Sequence, residues 1–133
     1  MIGNTTATST TPNNTFVKIS GTTSDLKLLK FESDANNRLR YKGNEDIVAN
    51  VFISIKGTSP ANSAGFTIAI YKNGAAGTNS YSSTGTTVNN QAFILVSETQ
   101  VDMSADDYIE ADIKTTSSDS PIIIFDIQFR ARD

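Results

Sequence analysis

Glu110 and Asp112 lie two residues apart in a stretch where they alternate with Ile109, Ala111 and Ile113. In an extended strand that spacing puts both carboxylates on one face. Two acids can hydrolyse a glycoside when they flank the bond about 5–9.5 Å apart, but a pair on an outward strand face reads as solvated. Asp102, Asp106 and Asp107 form a second acidic group. Their oxygens are of the kind Ca²⁺ takes, without the loop spacing of an EF-hand. As sequence neighbours, Asp106 and Asp107 diverge to opposite faces of extended chain and read as a solvated turn that starts a strand. The chain has no His and no Cys, which removes the commonest general base, the commonest transition-metal ligand and all thiolate chemistry. Gly74-Ala-Ala-Gly77 is followed by neither a helix nor the Lys-Ser/Thr of a phosphate loop, and no Ser–Lys spacing stands out. The expectation is a protein that is not an enzyme, with no cofactor and no metal.

The cations are arranged in pairs and triplets. Arg38, Arg40 and Lys42 share one strand face, and Arg130 and Arg132 share another. As surface cations they are either solvated, guarding a sheet edge, or matched to acidic groups on a partner. Eleven basic against fourteen acidic side chains give a net charge of −3, so no global cationic field exists to hold nucleic acid or anionic lipid. Neither is expected as a partner. No run approaches 18 consecutive apolar residues. The start of the chain has neither a basic n-region nor an apolar h-region, and synthesis in a cytoplasm is expected.

The elements that must carry these residues are strands. Seventeen Thr, fifteen Ser and twelve Asn make 44 of 133 residues, a balance of strand formers and turn formers. Residues 1–14 carry, besides Met1, one large apolar side chain, Ile2, and no charged side chain; they read as an extended or flexible arm ahead of a single domain over 15–133. From Thr15 the period is two. Ile47, Ala49, Val51, Ile53 and Ile55 fall on one face of the clearest strand, with Asn50, Ser54 and Lys56 on the other beside Val48 and Phe52. Phe66, Ile68 and Ile70 line the next strand, which runs into Asn73-Gly74, a strong hairpin signal. A weak polar return strand follows over 76–82. Strands are also expected over 15–20, 37–42, 91–101, 107–114 and 121–131, and the stretch 26–31 is read as strand over a short helical turn. No 3.6-residue repeat is sustained. About eight short strands separated by turn signals predict an all-β, antiparallel jelly-roll β-sandwich.

Two strands are apolar on both faces: Phe93-Ile94-Leu95-Val96 and Ile122-Ile123-Ile124-Phe125. A free-standing two-layer sandwich should be polar outside, and an isoleucine left in water forgoes about 1.5–3 kcal/mol of burial. Ile122 and Ile124 are placed on the outer side here, with Ile123, Phe125, Ile127 and Phe129 inward. The cover is either the chain's own arm or a long loop, or a neighbouring subunit. The subunit is preferred, which makes Phe93, Leu95, Ile122 and Ile124 the expected oligomer interface.

Three stretches in order, 14–23 (NTFVKISGTT), 37–43 (NRLRYKG) and 66–74 (FTIAIYKNG), resemble small virion proteins of tailed bacteriophages. Ala105-Asp-Asp-Tyr-Ile-Glu falls where those proteins carry a Gly-Asp-Tyr-Ile-like turn, with Asp106 in place of the usual Gly. The order of these motifs spans roughly residues 14–130. The resemblance implies a homotrimeric jelly roll, similar to tumour-necrosis-factor and complement-collagen heads, in capsid decoration (cement) proteins, head fibres or fibre tips. It further implies a virion location on the outer capsid, with the major capsid lattice as partner. On that reading Ile2, Asn4, Thr5, Thr6, Pro12 and Asn13 are the arm residues that meet the capsid. The alternative is a receptor-binding tip or head fibre whose Gly/Ser/Asn-rich loops take a bacterial glycan.

Overall fold

A computed structural model describes residues 4–10, 14–23, 30–59, 61–76, 80–116 and 121–132. They form β1 (Ala7–Thr8), β2 (Val17–Lys18), β3 (Phe31–Ala35), β4 (Arg38–Tyr41), β5 (Ile47–Thr58), β6 (Gly65–Lys72), β7 (Ala75–Ala76), β8 (Ser82–Gly85), β9 (Ala92–Met103), β10 (Tyr108–Thr115) and β11 (Ile122–Arg132). Among the described residues no helix is long and apolar enough to cross a membrane. The first sheet has the order β1-β11-β5-β9; the second has β3-β4-β10-β6-β7, with β2 on β10 and β8 on β6. All pairings are antiparallel. From β4 onward the chain alternates between the two sheets, except that β6, β7 and β8 stay together in the second, which is a jelly roll.

Period-two patterning builds the core. Ala49, Val51, Ile53 and Ile55 of β5 are fully buried, and so are Ile109 and Ile113 of β10 and Ile70 of β6. Phe66 and Phe93 stack between the sheets with ring centroids 4.3 Å apart. The Asn73-Gly74 hairpin forms as the sequence predicts, with φ of 51° and 79° and Lys72 opposite Ala75. The polar return strand divides into β7 and β8, the latter paired to 65–68 of β6. The two-residue pieces β1, β2 and β7 are too short to show a period.

Two expectations are corrected. First, the faces of the two-sided strands are reversed. Ile122 and Ile124 are fully buried inside the sandwich, with Phe93 and Leu95 beside them at 5% and 3% exposure, while Ile94, Val96 and Ile123 are outward. In β11 the reason is a β-bulge: its register on β5 shifts between Ile124 and Asp126, whereas β9 pairs with β5 in unbroken register. One extra residue exchanges the faces downstream, so Ile122 and Ile124 share the inside with Ile127, three positions on. Phe93, Leu95, Ile122 and Ile124 therefore cannot be the subunit interface.

Second, residues 4–10 are not a free arm. Ala7 and Thr8 pair with Ile123 and Ile122 as the edge strand of the first sheet, and Thr8 and Thr10 are buried. Asn4 Nδ2 donates to the carbonyls of Ile124 (2.9 Å), Ser20 (3.4 Å) and Thr6 (3.1 Å), and the Thr6 amide donates back to Asn4 Oδ1. A polar, uncharged segment is held by backbone pairing and hydroxyl burial, which leave no apolar signature. Ile2, Pro12 and Asn13 lie outside the described residues, as does most of the 26–31 stretch.

Candidate functional surfaces

On the outer face of the second sheet, β3 and β4 build a charge ladder. Asp34 accepts from Arg38 Nε (2.8 Å) and Nη2 (2.7 Å) and from Arg40 Nε (2.7 Å). Burial opposes ionisation of Asp34, but the hydrogen bonds from Arg38 and Arg40 outweigh it and hold the carboxyl below its usual range. Arg38 also lies 4.7 Å over the Tyr108 ring and 3.9 Å from Glu110. Lys42 reaches Asp106 at 3.3 Å and Glu32 at 3.5 Å. Arg38, Arg40 and Lys42 are thus each matched within the chain. β4 lies between β3 and β10, so these cations do not guard an edge, and β3 lays Glu32 and Asp34 alongside them, with the Lys42 side chain still 47% exposed.

The second acidic group is taken up by lysines within the chain. Asp107 pairs with Lys72 at 2.7 Å and accepts from Asn73 Nδ2 and the Ser104 amide. Burial works against that carboxylate, yet these donors keep it below its usual range. Asp102 offers its carbonyl to Lys72. Among the described residues no three His, Cys, Asp or Glu are grouped to hold a metal ion. Asp106 has φ of 66°, a left-handed conformation that Asp tolerates better than most side chains.

Glu110 and Asp112 do share a face, but their surroundings differ. Glu110 is bonded by Lys18 at 2.5 Å. Asp112 is 8% exposed, and its Oδ1 is buried with no hydrogen-bond partner. Ala69, its register neighbour on β6, is fully buried on the same outward face. The cover is aromatic: Phe16 lies 5.7 Å from both the Tyr71 and Tyr81 rings, with Lys114 Nζ 4.9 Å over Phe16. Burial pushes Asp112 up to about 6, the Glu110 charge adds to the rise, and Lys18 opposes it. Burial likewise raises the Tyr71 phenol, with Asp112 and Tyr81 contributing. Sequence reasoning missed this group, since Phe16, Tyr71 and Tyr81 stand on three separate stretches and meet only when β2 docks on β10.

The outer face of the first sheet carries an apolar patch. Ile94 is 60% exposed, Val96 47% and Ile123 40%. Ala92 and Ile123 flank Thr58 in one cross-strand row, and Ile94 opposes Lys56 in the row two residues along β9. The side of β9 away from β5 has no strand partner among the described residues.

No family model and no curated protein matches the chain. Among solved structures it is similar to the Eiger TNF of S. frugiperda, with a TM-score of 0.40 and 9% identity over 68% of this chain. The match spans 62% of that chain. The likeness is one of fold alone.

Proposed function

We propose that the chain is a non-enzymatic structural protein of a tailed-phage virion, a homotrimeric capsid decoration protein on the outer head surface. The observation that carries this reading is the outward apolar row of Ile94 and Val96 on the edge strand of the first sheet, with Ile123 close by. Water-facing patches of this kind mark interaction sites, and different patches meeting around a threefold axis close into a ring. The ordered motifs that resemble phage virion proteins support a trimeric virion protein, without choosing between the head surface and a fibre tip. The mechanism is mechanical: polar contacts to the capsid lattice, each weak, multiplied by three copies. Light scattering on the purified chain tests the trimer, and titration onto capsid shells lacking the protein tests the role. A monomer at high concentration, or a few copies per particle instead of hundreds, overturns it.

A second reading, recognition of a bacterial surface glycan, is favoured by one observation. Tyr81 is 53% exposed beside Tyr71 and Phe16, and aromatic faces next to carboxylates suit sugar rings. Altered adsorption to cells with unchanged capsid binding in Tyr81→Ala would select it.

A further inference from the structure

The outer face of the second sheet contains a closure that depends on one carboxyl group. Asp112 sits opposite Lys18 of β2 and Ala69 of β6. Its Oδ1 is sealed and unpartnered. β10 is held on one side by β6, from Ile109 to Thr115, and on the other by β4 over Tyr108–Glu110 and by the two-residue β2 at Asp112 and Ile113. Of the three, β2 has the shortest ladder. Upstream, Asn14 is tied by its amide to the Thr115 carbonyl and by its Oδ1 to Lys114 Nζ. Downstream, Ile19 is buried and donates its amide to the Ala111 carbonyl.

The charges facing Asp112 are asymmetric. From β10 come Glu110 and, two residues along the same face, Lys114, from β2 Lys18, and from β6 the Tyr71 phenol, with the Tyr81 phenol beyond it against Tyr71 and Phe16. Lys18 is the counter-ion at hand, and its ammonium is bonded to Glu110. Arg38 of β4, 3.9 Å from Glu110, stays in place when β2 moves and keeps Glu110 compensated. An ionised Asp112 therefore has one economical way to hydrate Oδ1, the displacement of the short strand above it.

We propose that residues 14–18 form a proton-latched strap, seated on β10 while Asp112 is neutral and opened when Asp112 ionises, which uncovers Tyr71 and Tyr81. Opening replaces the aromatic cover over Asp112 by water and frees Phe16. The strap holds near pH 5 and loosens towards pH 8, in step with the elevated titration of Asp112 near 6. This device is independent of the virion reading and operates in a monomer or a trimer.

Amide hydrogen exchange, corrected for intrinsic rates, tests it on the full chain. Between pH 5 and pH 8 the protection of residues 14–19 should fall at least tenfold, while that of residues 68–72 in β6 stays constant. In Asp112→Asn the strap should remain protected at both pH values, and in Glu110→Gln the midpoint should move to lower pH. A carboxyl-carbon NMR titration of Asp112 in the unaltered protein gives a second readout that needs no variant. Protection of 14–19 that does not change with pH, a parallel loss in β6, or a titration at the ordinary aspartate value would each overturn the strap.

Discussion

Gly57 and Ile124 are cross-strand partners on β5 and β11, and the space a side chain would take at Gly57 is filled by the Ile124 side chain. A Cβ built there would stand 2.9 Å from Ile124 Cδ1, 2.8 Å from Phe93 Cζ and 2.9 Å from the Ile123 carbonyl oxygen. Phe93 is the partner of Gly57 on its other side. The glycine thus lets two large side chains meet across a strand just before the bulge. Gly57→Ala is expected to cost about 1–3 kcal/mol through overpacking against backbone as well as side chain, read by denaturant unfolding.

The reversal of faces in β9 and β11 separates stability from assembly. Ile122→Ala should destabilise the fold by about 2–5 kcal/mol, because it opens a cavity in a fully buried site. Ile94→Asp or Val96→Asp changes an exposed position and should leave the unfolding midpoint of the monomer nearly unchanged. Those two variants should dissociate the proposed trimer on light scattering. A trimer that persists in both rejects the Ile94–Val96 interface.

Asp112 makes the folded state prefer acid. Its folded pKa of about 6 lies above the ordinary 3.8, so the native chain binds more protons than the unfolded one between those values. Stability should be greatest near pH 4, fall as pH rises to about 6, and level off above. The displacement corresponds to about 3 kcal/mol at most. Asp112→Asn should be more stable than the unaltered protein at pH 7.5, by about 1–3 kcal/mol, and nearly equal to it at pH 4. Chemical denaturation at the two pH values measures both differences.

Asp34 acts in the opposite sense. Its folded pKa is depressed by Arg38 and Arg40 against the effect of burial. Its contribution is present above pH 3.8 and is lost as pH falls through the lower folded value. Asp34→Asn should cost about 1 kcal/mol at neutral pH, the scale of a partly exposed charged pair, and the gap should close in acid. Thermal unfolding from pH 2 to 7 follows it.

The turn at Asp106 tests backbone strain. At φ of 66° a β-branched residue is disfavoured, so Asp106→Val should lose about 1–3 kcal/mol. Asp106→Gly relieves the backbone but gives up the Lys42 contact, and should lie within about 0.5 kcal/mol of the unaltered chain. Thermal melts of the two variants rank them.

By itself the sequence determined the all-β class, the two-residue period of β5, β6 and β10, and the Asn73-Gly74 hairpin. Each depends on contacts within a strand or across one turn, where side-chain alternation and positive φ are local properties. It also marked β9 and the start of β11 as apolar on both sides. Which side is inward was decided by the tertiary structure: in β11 a bulge between Ile124 and Asp126 shifts the parity by one and leaves no local trace, and in β9 the face follows its register on β5. The same holds for Asp34 beside Arg38 and Arg40, for residues 7–8 at the sheet edge, and for Phe16 over Tyr71 and Tyr81. Partners so placed are chosen by strand order and register, and those are fixed only when two sheets close on one core.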